Sequence, residues 1–269
     1  MNLLKPYLIS LLFVFSFSFL IIEAHEVCII PSSFPDLKIE VYFQKPSKEC
    51  KKLLLFMHGS SGKGLQGISD AWFSHWLSKG YAVAAISMPG YGRSNGRKDF
   101  CGPLTIETLN HALEYIKKET KISELGVIGF GQGGLASLLL SLKRNDIRCL
   151  VCSNCGYDLL RHQGKEDPFR KQVEEKDYNL DFSDLASLKY RSAIEHIEKI
   201  NTPLFLLHRK GNPMISEQEA IEFHNAMLNA GKECYLSIRE RSETDDTQII
   251  SYEEVLIEAE TWIDSCMNN

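Results

Sequence analysis

The sequence contains no block of lysine or arginine, so the simplest electrostatic footprint for DNA or RNA is missing and no nucleic-acid partner is implied. Its 30 basic and 35 acidic residues give a formal net charge of −5, and short clusters such as Lys51-Lys52 suit a solvated face. Internal repeats and low-complexity linkers are also missing, which excludes a repeat architecture. No histidine occurs after His224. Cys149-x2-Cys152-x2-Cys155 has no second ligand cluster at metal-site spacing. Residues three apart on a strand face opposite ways, so zinc is not implied. No metal or organic cofactor is expected.

What is present fits one large α/β domain. The chain has 269 residues, 44% of them hydrophobic and 24% charged, enough to bury a full core. The first 24 residues stand apart: Lys5 precedes an uncharged, mostly apolar run from Tyr7 to Ile22, followed by Glu23-Ala24 and His25. This reads as a cleaved signal peptide over residues 1–24 and a mature domain over 25–269. Export to the periplasm or medium follows, with an anchor retained over residues 7–22 as the alternative and the sole route to a membrane association. All eight cysteines lie in the mature part. An oxidising compartment permits disulfides, and Cys28 with Cys50 is the first candidate pair.

Short apolar runs alternate with amphipathic ones. Strands are expected at 37–43, 52–57, 81–87, 125–130, 148–153, 203–208 and 233–238, with helices at 70–78, 105–118, 133–142, 216–229 and near 253–266. This alternation predicts βαβ units in a mostly parallel, doubly wound sheet with helices on both faces. Residues 157–200 are charged and lack strand runs, and read as a short helical insertion, or cap, before the seventh core strand.

The most informative stretch is Gly126-Val-Ile-Gly-Phe-Gly-Gln-Gly-Gly134. A buried strand runs through a glycine-flanked turn into an apolar helix, the setting of a nucleophile elbow. It also satisfies G-x-G-x-x-G, but mid-chain and without an acidic ribose partner, so a dinucleotide site is not favoured. His58-Gly59 follows one strand, continuing Ser60-Ser-Gly-Lys-Gly64. Pro89-Gly-Tyr91-Gly-Arg-Ser94 follows the next. Pro203-Leu-Phe-Leu-Leu-His208-Arg-Lys-Gly-Asn212-Pro213 completes the set. Together these resemble the α/β-hydrolase superfamily over residues 37–266, nearest to its prolyl-oligopeptidase-like (S9-type) and dienelactone-hydrolase-like branches.

The resemblance implies a nucleophile, a histidine and a carboxylate acting together. At those positions this chain carries Gly131, Thr244 and Asn212, none of which can do the corresponding work. The resemblance places His58, Gly59 and Ser60 in the oxyanion-hole loop, with Gln132, Tyr91 and Asp158 as further pocket candidates. Ser61 and Ser94 are candidates for the rim. The expectation is a pseudoenzyme that binds an unidentified small molecule or protein. The alternatives are an active esterase or peptidase with displaced catalytic residues, for which Asp158 and His58 are the conceivable acid–base groups, and an interaction protein using residues 157–200. A deep pocket lined by Phe130, Tyr91 and Trp72 would favour the first.

Overall fold

The computed structural model describes residues 26–60, 64, 70–118, 120–240 and 252–268. The chain enters through β1 (Glu26–Pro31) and β2 (Lys38–Gln44), which pair antiparallel. β3 (Lys52–Met57) leads to α1 (Asp70–Ser78), β4 (Ala82–Ile86) and α2 (Pro103–Lys118). β5 (Glu124–Phe130), α3 (Gln132–Ser141) and β6 (Ile147–Ser153) follow. Between β6 and β7 (Leu204–Arg209) lie α4 (Pro168–Glu175), α5 (Leu185–Arg191) and two short 3-10 segments. These are the short helices expected of residues 157–200. α6 (Glu217–Asn229), β8 (Cys234–Arg239) and α7 (Tyr252–Asn268) complete the chain.

The eight strands form one sheet in the order β1-β2-β4-β3-β5-β6-β7-β8, parallel from β4 through β8. β3 to β7 are near-continuous apolar runs because parallel strands under two helical layers are buried on both faces. Side chains alternate between those layers. Leu53, Leu55 and Met57 join the core under α2, α3 and α6, whereas Leu54 and Phe56 join the one under α1 and α7. Cys149 and Cys152 likewise fall on opposite sides of the sheet.

α3 is buried on every face, which its sequence Gln-Gly-Gly-Leu-Ala-Ser-Leu-Leu-Leu-Ser allows. α7 is amphipathic instead, burying Val255, Ala259, Ile263 and Met267 at four-residue spacing.

The register does not favour the Cys28–Cys50 pair. Cys28 lies opposite Val41, which lies opposite Ile86, while the Cys50 thiol accepts the Ala82 N–H. Four residues along β4 separate those levels by about 13 Å, and β2 intervenes. No described helix is long and apolar enough to cross a membrane. The leader lies outside the described residues.

Candidate functional site

The sheet order reverses direction between β3 and β5, so the loops leaving their carboxyl ends open onto a topological switch point. One loop carries His58, Gly59 and Ser60; the other is the turn from Phe130 through Gly131 to Gln132. At that turn Gly131 has φ 50° and ψ −117°, a conformation that strains any residue with a Cβ. Its N–H donates to the Ser153 carbonyl at 2.8 Å, and its own carbonyl accepts from Gly134 and Leu135. The N–H groups of Gln132 and Gly133 then open α3, where no earlier carbonyl is in helical reach.

The surrounding glycines serve close approach. A Cβ on Gly133 would stand 2.4 Å from the His58 carbonyl oxygen and 2.5 Å from that of Met57. One on Gly129 would stand 2.5 Å from Gly134 Cα. Gly131 differs. Among the described residues a Cβ there meets only the Asn154 carbonyl, at 3.9 Å, so these residues leave room for a nucleophile's side chain.

His58 is fully committed. Its Nε2 accepts the Met88 N–H at 3.0 Å, so Nδ1 carries the proton and donates to the Gly59 carbonyl at 2.7 Å. Burial pushes its pKa down to about 4, and a neutral ring with both nitrogens engaged is a brace rather than a base. Asp158 also has a structural task, since its carboxylate caps the following 3-10 turn through the Leu160 N–H at 3.0 Å. Neither group is placed for acid–base work, which counters the conceivable role for this pair.

Gln132 is buried and accepts the Tyr91 hydroxyl at 2.7 Å. Tyr91 faces His58, with ring centroids 4.8 Å apart, and Tyr178 from the segment before β7, 6.4 Å away. Phe130 instead packs on Trp72, at 5.3 Å, on the α1 side of the sheet. A pocket shared by Phe130, Tyr91 and Trp72 is therefore not formed, because Tyr91 belongs to the opposite core layer. Ser94 is buried, taking the Glu40 N–H and donating to the Ser87 carbonyl, so it is not a rim residue. Asn212 holds a local turn, its Oδ1 accepting from Met214 and Ile215 at 2.9 and 3.2 Å. His208 is buried and hydrogen-bonded to the Ile215 carbonyl. Ser61 and Thr244 lie outside the described residues.

Three contributors were not legible in the sequence. Asn154 ends β6 with φ 52°, and its Oδ1 accepts the Arg209 N–H at 2.8 Å. Its Nδ2 is buried without a partner among the described residues. Asparagine after a strand was the only signal, through its tolerance of left-handed backbone. Lys176 and Tyr178 reach the oxyanion loop from the segment before β7. The Lys176 ammonium donates to the Ser60 carbonyl at 2.8 Å, and the Tyr178 hydroxyl lies beside Ser60 and Tyr91. A cavity of about 460 Å³ lies in the same segment, lined by residues including Asn179, Asp184 and Arg191. The Arg191 guanidinium is occupied by the carbonyls of Asp99, Phe100 and Ser187.

Glu219 on α6 is a buried carboxyl beneath the segment that follows β6. It accepts the backbone N–H groups of Tyr157 and Asp158, yet burial pushes its pKa up to about 7. An acid so raised holds more protons folded than unfolded between about 4.5 and about 7. Its contribution is full below the lower value and lost as pH rises through the higher, by on the order of 3 kcal/mol. Glu219→Gln keeps the acceptor and removes the charge. The variant should match the parent melting temperature near pH 4.5 and exceed it at pH 8. Equal or lower stability at pH 8 would contradict this account.

A sequence model of the α/β-hydrolase fold matches residues 52–189, just over half of the chain. This protein belongs to the α/β-hydrolase family. No curated protein sequence matches it. Among solved structures, this hydrolase-fold chain resembles the acylaminoacyl peptidase of Pyrococcus horikoshii (15% identity, TM-score 0.67), with 81% of this chain and 37% of that one covered. It therefore spans well under half of that enzyme. An esterase from Pyrococcus furiosus matches over 91% of both chains (18% identity, TM-score 0.61). A thermophilic esterase from Thermogutta terrifontis matches over 90% of this chain and 94% of its own (14% identity, TM-score 0.65). At such identities the likeness is one of fold, and it agrees with the S9-like resemblance in the sequence. Among the described residues no group of three or more His, Cys, Asp and Glu side chains is placed to hold a metal ion.

Proposed function

We propose that this α/β-hydrolase-fold protein is exported and does not act by covalent serine-type catalysis, its surviving role being to bind a small molecule or a protein at the old site. The observation that carries this reading is the elbow at Gly131, which has the backbone of a nucleophile position and no side chain to attack with. The N–H groups at the start of α3 remain available to acceptor groups such as a carbonyl or carboxylate. His58 and Asp158, the nearest substitutes, are engaged in structural hydrogen bonds.

The second reading is an active hydrolase with displaced catalytic residues, and its support is the likeness to esterases and an acylaminoacyl peptidase over most of this chain. Turnover of aryl esters, lactones and prolyl peptides by residues 25–269 separates the two. The first reading expects rates at the uncatalysed background for every substrate. Turnover well above background, abolished by Gln132→Ala or Tyr91→Phe, would overturn it in favour of the second.

A further inference from the structure

Burial or strand register sets six of the eight cysteines aside. Cys152 and Cys155 touch each other but are wholly buried, their thiols also directed at the Gly134 and Ser153 carbonyls. Cys101 is buried against the Gln132 carbonyl, and Cys234 is buried beneath α6. Cys28 and Cys50 are held apart by the register.

Cys149 and Cys266 are different. Cys149 lies on β6, fully buried, and Cys266 lies in the last turn of α7, partly exposed. Cys266 packs against the core layer that contains Cys149, and each thiol is the main influence on the other's ionisation. The closeness of the elements is independently fixed at Gly126 on β5. The point where its Cβ would sit is 3.3 Å from Cys149 Sγ and 3.2 Å from Met267 Sδ. A glycine there lets the end of α7 settle onto Cys149.

We propose that Cys149 and Cys266 are a redox-active pair, oxidised by a small-molecule disulfide of the glutathione class to a bond that staples α7 to the sheet. Cys266 is the entry point, because it is the accessible member and the neighbouring Cys149 thiol favours its thiolate. The Cys266 thiolate attacks one sulfur of the small disulfide, forming a mixed disulfide and expelling one small thiolate. Cys149 then gives its proton to that thiolate and attacks the Cys266 sulfur, expelling the second small thiolate, which takes up the proton released when Cys266 ionised. Two protein thiols are oxidised and one small disulfide becomes two thiols. The bond closes a loop of more than a hundred residues, the regime in which a cross-link restricts the unfolded chain most.

The test uses the full chain, purified with reductant and then equilibrated with reduced and oxidised glutathione. Free thiols are alkylated after unfolding, and the protein is digested for mass spectrometry. The expected result is a cross-linked peptide pair containing Cys149 and Cys266, with a melting temperature raised by roughly 5–10 °C over the reduced protein. Cys149→Ala and Cys266→Ser should each lose that rise. Cys149→Ala should instead retain a glutathione adduct on Cys266, an outcome that a purely structural role for either residue does not produce. Recovery of both cysteines in alkylated form, or a bond mapped to Cys152–Cys155 in their place, overturns the proposal.

Discussion

Gly133→Ala is expected to remove a large share of the protein's stability. The added methyl would lie 2.4–2.7 Å from the His58 and Met57 carbonyl groups, which belong to the backbone of a central strand and its loop. Strand and helix can accept it only by moving apart, and overpacking of this kind against backbone costs about 3 kcal/mol, the upper end of the usual range. Total stability for a domain is roughly 5–15 kcal/mol. Gly131→Ser is the informative contrast, because among the described residues the nearest atom to its Cβ is 3.9 Å away. That change meets only the backbone strain of φ 50°, about 1–2 kcal/mol. Urea titrations followed by circular dichroism should therefore rank Gly133→Ala far below Gly131→Ser, with Gly131→Ser slightly below the parent. A Gly131→Ser variant markedly more stable than the parent would contradict the idea that glycine here relieves strain.

The second large effect is expected at Glu254. Arg209 ends β7 with its side chain only 3% exposed and pairs with Glu254 in the first turn of α7 at 2.9 Å. Removing the carboxylate by Glu254→Ala takes a hydrogen-bonded charge partner from a buried cation, at about 2–4 kcal/mol. Replacing both residues by leucine should recover most of that loss, since two apolar groups carry no uncompensated charge. Stability measured across this double-mutant cycle tests the point. Additive losses in the double variant would show that the pair is not the source. The ion pair gives Arg209 a structural role: it ties the end of β7 to the start of α7.

The fold was legible because its signals are local. Near-unbroken apolar runs mark β3 to β7, glycines at 129, 133 and 134 mark the turn into α3, and the charged stretch from 157 to 200 yields the short helices between β6 and β7. Gly131 was legible for the same reason, since its neighbours define the elbow. What the sequence did not disclose depends on contacts between distant segments. Tyr178 meets Tyr91 across 87 positions, and Arg209 finds Glu254 across 45. The direction of an aromatic side chain was equally hidden: Phe130 and Tyr91 are both near the switch point, but they enter opposite core layers. His58 looked available for chemistry until its two hydrogen bonds were located.

Labelling by a fluorophosphonate probe tests the central claim most directly, comparing residues 25–269 with the variant Gly131→Ser, Asn212→Asp, Thr244→His. Aspartate at 212 can keep the turn that Asn212 Oδ1 makes with Met214 and Ile215, so that substitution supplies an acid without dismantling the turn. The account predicts no label on the parent and label at residue 131 of the variant. Stoichiometric labelling of the parent at a serine elsewhere in the site would show a displaced nucleophile and contradict it.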